Sequence, residues 1–284
     1  MSNQRVTPEL EPFFVTDGDT FVPNDIAQGG WGPTLGGQVV GGLLARGVEQ
    51  KRADPELMPA RFTVDILRRV ATAPVQVHVD VVRTGRRMQA IDARLTQGDE
   101  LVARASTLLL RRADQPRDLP WTTTISMPPI PQEPAQFDDS VPMFITPYGG
   151  DASRDTFPWQ HDGPRYAWIR EIRPLVDNEQ LTPFVRSAMA VDVTASLTGF
   201  SRTGLGFINA DYTLTLCRLP DGPYIGLAGL THYSADGVAV GSASLFDANG
   251  PIGSSLTTAA ANSNFRPSVG GRDDAVTTRS SADG

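Results

Sequence analysis

Asp192 stands among Ala188, Met189, Val191, Val193 and Ala195, with no Lys or Arg three or four residues to either side. A carboxyl in apolar surroundings has its charged form disfavoured, and its pKa rises toward that of a base working near neutrality. The alternative is an acid on the wet side of its helix, or one satisfied by a neighbouring backbone amide. A second candidate is the run Gly36-Gly37-Gln38, which opens an apolar stretch of helical period. Unpaired amides at a helix start, with no Cβ in the way, suit a carbonyl oxygen that gains negative charge on attack. Paired glycines are equally a packing device, so this run also has a purely structural reading.

Other reactive residue types fall out by spacing. His78, His161 and His232 are scattered, and with the single Cys217 they form no metal-ligand pattern, so no metal site is expected. Cys217 lies in an apolar run and reads as a small buried residue. Ser196, Ser242 and Ser244 lack a strand–turn–helix elbow, and no Gly-Lys-Ser/Thr phosphate loop occurs. A formal charge of −7 argues against a nucleic-acid partner. No run approaches the ~18 apolar residues of a membrane span, and the first residues lack a basic-then-apolar leader. A cytoplasmic protein without a membrane span is expected.

The elements that must position these residues repeat along the chain. Residues 38–49 carry Val39, Val40, Leu43, Leu44 and Val48 at helical spacing, with Gly41, Gly42 and Gly47 implying close packing against a sheet. Strands are expected at 61–70, 75–81, 88–96 and 101–111, as a four-stranded antiparallel meander. A second helix at 185–197 precedes strands at 207–219, 224–233, 238–247 and 252–261. Placing Arg69 on Arg218, Pro74 on Pro223 and Ala90 on Ala239 aligns the two series, which points to a duplicated module. The expected organisation is an N-terminal unit over 1–113, a Pro-rich linker over 114–164 and a C-terminal unit over 165–262. The second unit would open with a strand at 166–173, and a disordered tail would fill 263–284.

The segments Thr34-Leu-Gly-Gly-Gln-Val-Val-Gly-Gly-Leu-Leu, Ala60-Arg-Phe-Thr-Val-Asp-Ile-Leu-Arg-Arg and Val82-Arg-Thr-Gly-Arg resemble the first half of an acyl-CoA thioesterase II. Asn209-Ala-Asp-Tyr-Thr-Leu-Thr-Leu-Cys-Arg-Leu-Pro and Gly241-Ser-Ala-Ser-Leu-Phe-Asp-Ala-Asn-Gly resemble its second half. The resemblance implies an α+β double hotdog, two tandem units that each wrap an antiparallel sheet around a helix. It implies hydrolysis of acyl-CoA to a free acid and coenzyme A, without metal or bound cofactor. The family holds its attacking water with an Asp, a Thr or Ser, and a Gln. These fall on Asp192, Asn209 and Thr258, so two of the three positions carry other residues here. Asn209 and Thr258 can hold a water by hydrogen bonds but cannot take its proton at neutral pH. Thr257 is on the opposite face of the strand, so a slip of one residue would transfer the role. Gly36, Gly37 and Gln38 are the expected substrate-binding residues.

Two other readings stand beside hydrolysis. A hotdog hydratase would need a His on or at the start of a central helix, and neither helix has one. A catalytically degenerate relative would bind acyl-CoA or another lipid-like ligand without turning it over. Arg68, Arg69, Arg83, Arg86 and Arg87, around turns of the first unit, are candidates for coenzyme A phosphates or a solvated rim. Open sheet edges lead to the expectation of a homo-oligomer.

Overall fold

The computed structural model describes residues 10–118, 120–149, 158–262 and 264. A hairpin of β1 (Phe14–Asp17) and β2 (Thr20–Pro23) precedes helix α1 (Gly37–Gln50). Strands β3 (Leu57–Ile66), β4 (Val75–Thr84), β5 (Met88–Gln97) and β6 (Glu100–Arg111) complete the first unit. Next come β7 (Phe144–Tyr148), β8 (Tyr166–Arg170), and helices α2 (Pro183–Ala190) and α3 (Val193–Gly199). A small hairpin of β9 (Phe200–Ser201) and β10 (Gly204–Leu205) leads into β11 (Phe207–Asn209) and β12 (Asp211–Leu216). Strands β13 (Tyr224–Ala235), β14 (Val238–Asp247) and β15 (Gly250–Ala261) close the second unit.

One 13-stranded sheet runs β1-β2-β4-β5-β6-β3-β12-β15-β14-β13-β8-β7, with β11 also pairing β15. The two units meet where β3 pairs antiparallel with β12, with Thr63 opposite Thr213. Across this seam the Thr63 and Thr213 hydroxyls hydrogen-bond at 3.0 Å. The helices fill the inner face of this sheet, where Phe62 packs edge-on against Phe184 of α2 at 5.5 Å. This is the tandem double-hotdog arrangement of the α+β class.

Several sequence expectations change in detail. The first unit is not a simple four-stranded meander, because β3 pairs with β6 rather than with β4. Residues 67–74 are too many for a tight hairpin, so the chain crosses the sheet and leaves β3 free to join β12. Of the α1 glycines, Gly47 faces the sheet at Val77 and Val79, whereas Gly42 faces Met189 of α2 and Gly41 faces the Tyr212 hydroxyl. Close approach therefore serves helix–helix contact at Gly42 and helix–sheet contact at Gly41 and Gly47.

The second central helix is split. Thr182 caps α2 by accepting from the Val185 N–H at 3.2 Å, and Pro183 occupies the first turn, where its missing donor costs nothing. At residues 191–192 the bonding tightens: the N–H groups of Asp192, Thr194 and Ala195 reach back only three residues. Such a local 3₁₀ turn interrupts an otherwise continuous helical pattern.

Part of the expected Pro-rich linker is sheet. Strand β7 pairs with β8 at the sheet's far edge, with Pro147 opposite Ala167, and an edge is where a strand tolerates proline. The opening strand of the second unit ends at Arg170 rather than 173. Cys217 is exposed, not buried, because Tyr212, Leu214 and Leu216 take the inward phase of β12 and the next position faces out; its thiol donates to the Ile252 carbonyl at 3.2 Å. Apart from residue 264, the expected tail lies outside the described residues.

Candidate active site

Three elements converge on Asp192. The break between α2 and α3 places its carboxylate against the first turn of α1, so close that a Cβ on Gly37 would lie 2.8 Å from its Cγ. Glycine at 37 is therefore a steric requirement of this contact. Strand β11 supplies Asn209, whose Nδ2 donates to Asp192 Oδ1 at 2.9 Å. The backbone N–H of Gln38 faces the same carboxylate. That of Gly37, the first in the helix, has no acceptor among the described residues.

Burial dominates the electrostatics. It pushes the Asp192 carboxyl up to about 6, against the opposing pull of the Asn209 amide and the Gln38 N–H. The carboxylate keeps some surface toward a cavity and is otherwise enclosed by protein. Behind it, the buried Tyr212 hydroxyl donates to the Ala188 carbonyl at 2.9 Å. Glu171, just past β8, is buried, and neither carboxyl oxygen has a hydrogen-bond partner among the described residues. Burial pushes it up to about 8; Arg186 opposes that shift and Asp192 adds to it.

The cavity measures about 630 Å³ and holds Asp192, Asn209, Gly36, Gly37 and Gln38 on one wall. Its other walls are apolar, with Phe13, Ile26 and Trp31 from the N-terminal segments and Val193 and Phe200 from α3 and β9. Met143, Phe144, Ile145 and Trp159 come from the Pro-rich segment, which sequence reasoning treated as a connector. The apolar run Val141-Pro-Met-Phe-Ile145 was the available signal for that wall. Ser196, one helical turn beyond Asp192, also faces the cavity.

Of the predicted catalytic residues, the structure brings Asp192 and Asn209 together and leaves Thr258 apart. Thr258 is exposed on the outer face of β15, where its N–H and hydroxyl donate to Asp211 Oδ1 at 2.5 and 2.7 Å. Its neighbour Thr257 points inward and is buried, but its hydroxyl donates to the Asp211 carbonyl at 2.9 Å. Neither lines the cavity. Arg68, Arg69, Arg83, Arg86 and Arg87 do not line it either, and Arg68 pairs with Glu100 at 3.0 Å. Among the described residues no cluster of His, Cys, Asp and Glu has the makings of a metal site. No described helix is long and apolar enough to cross a membrane.

Comparison with known proteins agrees with this architecture. The family model for the acyl-CoA thioesterase N-terminal domain matches residues 27–110, and that for the C-terminal domain matches residues 123–260. The second match takes in most of the Pro-rich segment. Among solved structures, an acyl-CoA thioesterase II, TesB2, from Mycobacterium marinum is 16% identical with a TM-score of 0.58, covering 91% of this chain and 97% of that one. The tesB protein of Mycobacterium avium subs paratuberculosis is 15% identical with a TM-score of 0.60, covering 86% and 93%. A conserved protein with a hot dog fold from Alicyclobacillus acidocaldarius is 15% identical with a TM-score of 0.60, covering 87% and 94%. No curated protein matches the sequence. At such identities the structures speak for the fold alone, whereas the two family models cover both units in order. The chain belongs to the double-hotdog acyl-CoA thioesterase II family.

Proposed function

We propose that the protein hydrolyses acyl-CoA thioesters by direct attack of water, with Asp192 as the general base. The observation that carries this reading is a desolvated carboxylate, poised near 6, on the wall of an apolar cavity beside an open helix N-terminus. The acyl chain occupies the apolar part of the cavity, between the Pro-rich segment and α3. The thioester carbonyl then lies toward the first turn of α1.

Asn209 ties down Asp192 Oδ1 and leaves Oδ2 to accept the proton of the attacking water. The water oxygen bonds to the carbonyl carbon, and the negative charge that collects on the carbonyl oxygen is met by the Gly37 N–H. Of the helix-start amides, the Gly36 N–H is taken by the Ala27 carbonyl at 3.0 Å and the Gln38 N–H is turned to the carboxylate, which leaves that of Gly37 for the oxyanion. Collapse of the tetrahedral intermediate breaks the C–S bond, and the proton on Asp192 passes to the departing thiolate. A thiol of pKa about 8.5 is an adequate leaving group. Thr258 takes no part in this scheme.

The outward position of Thr258 favours a second reading, a family member that binds acyl-CoA without hydrolysing it. The deciding experiment follows free thiol released from a short-to-long acyl-CoA series by the wild type and Asp192→Asn. Turnover that drops by about 10³-fold in the variant supports hydrolysis with Asp192 as base. Thermal stabilisation by acyl-CoA without thiol release by the wild type overturns hydrolysis in favour of binding.

A further inference from the structure

Gln38 has a feature that its backbone role leaves unused. The residue is 7% exposed and belongs to the cavity wall beside Asp192. The Nε2 atom is sealed from solvent with no hydrogen-bond partner, and the other end of the amide has none among the described residues. A buried polar donor left unpaired is costly, and a side chain that secures no local structure has no architectural reason to carry one. An amide at the end of a side chain turns readily about its last torsion, so either end can be presented to the cavity.

Its surroundings narrow the choice of ligand atom. The Gln38 backbone is fixed by the first turn of α1, one residue from the free Gly37 N–H and facing the Asp192 carboxylate. An acceptor that bonds Gly37 from the cavity therefore lies within the compass of the Gln38 amide.

We propose that the Gln38 side-chain amide is the second donor to the thioester carbonyl, completing with the Gly37 N–H a two-donor site for the oxyanion. This rests on the hydrolytic reading above. In the step concerned, water oxygen bonds to the carbonyl carbon, the C=O π pair moves onto oxygen, and Gly37 and Gln38 Nε2 hold that charge. The pair returns as the C–S bond breaks and sulfur leaves with its electrons.

The test replaces the amide by an apolar side chain of similar length, Gln38→Met. The expected result is a fall in kcat of about 10²-fold, with KM and the affinity for a non-hydrolysable acyl-CoA thioether within about twofold of wild type. The melting temperature stays at or above that of wild type, because the substitution removes an unsatisfied buried donor. Should Gln38→Met melt far below wild type, Gln38→Leu withdraws the donor with a shorter apolar side chain, and the same fall in kcat is expected. Wild-type kcat in either folded variant overturns the proposal while leaving hydrolysis intact. Absence of thiol release by the wild type overturns both.

Discussion

Duplication gives this chain two places where the first turn of one central helix meets the flank of the other, and they have diverged. Counted from the N-caps Gly36 and Thr182, Asp192 and Arg46 occupy the same position on their helices. Asp192 meets the glycine opening of α1, keeps one side-chain partner in Asn209 and faces an apolar cavity. Arg46 meets the approach to α2, where its Nε donates to Glu179 at 2.6 Å and its guanidinium lies 5.2 Å from the Phe21 ring centre. Beside it the Thr182 hydroxyl donates to Glu49 at 2.6 Å. The recess there is about 310 Å³, lined by Arg46, Glu49, Arg52 and Glu179 among others. At the Arg46 end the guanidinium is paired with Glu179 and Glu49 accepts from a hydroxyl, whereas the acid at the Asp192 end is desolvated and has no ion-pair partner among the described residues. One junction fastens the helices together; the other retains a group whose protonation can change.

The widest separation between the two ends is expected from matched deletions. Asp192→Asn removes the base and drops turnover by about 10³-fold, without lowering the melting temperature at neutral pH. Arg46→Met breaks the ion pair and the ring contact, costs about 1 kcal/mol of stability and leaves turnover within twofold. Steady-state thiol release and chemical denaturation of both variants check this. A large activity loss in Arg46→Met would erase the distinction.

The next effect sharpens the Asp192 end through pH. The base works ionised, so kcat/KM rises with pH through about 6 and levels off above it. The Asn209 amide favours the charged carboxylate, and Asn209→Ala moves the acid limb to higher pH. The variant's loss is then roughly severalfold greater at pH 6 than at pH 8. A pH profile that falls uniformly would leave Asn209 a different role.

Glu171 belongs to the same desolvated end. Its carboxyl is pushed from 4.5 up to about 8, so between those values the folded protein holds a proton that the unfolded chain has released. Stability therefore declines as pH rises across that window and the decline ends above about 8. Glu171→Gln removes this contribution and gains on the order of a few kcal/mol over wild type at pH 8, with little difference at pH 4.5. Urea midpoints at the two pH values measure it; equal gains at both would show that Glu171 is ionised in the fold.

Much of this contrast was open to a reading of the sequence, and the remainder has physical reasons for being hidden. The apolar setting of Asp192 and the glycine start of α1 are local patterns, and both lead to the candidate site. Alternating valines mark β4, because a half-buried strand writes its two faces into the chain. The split between α2 and α3 is invisible, since Ala190, Val191 and Val193 continue the helical pattern across the tightened turn. Strand β7 is disguised by its prolines, which an edge position permits, and with it goes the cavity's outer wall. Neither the unpaired Gln38 amide nor the isolation of Glu171 has a local signature, because both depend on what distant segments fail to provide.

The smallest expected effect concerns Thr258. Successive side chains on a strand point to opposite faces, and Thr257-Thr258 gives two chemically identical choices of phase. The register of β15 against β14 resolves it: Thr258 pairs with exposed Val240, and Thr257 with Gly241, which lies against Thr198 of α3. Thr258→Val removes one hydroxyl bond to Asp211 on an exposed face and is expected to change turnover by less than twofold. Its melting temperature should fall by no more than the equivalent of about 1 kcal/mol. A drop in thiol release near that of Asp192→Asn would place the β15 hydroxyl in the chemistry after all. The contrast between inward and outward faces would then have to be redrawn with β15 shifted by one residue.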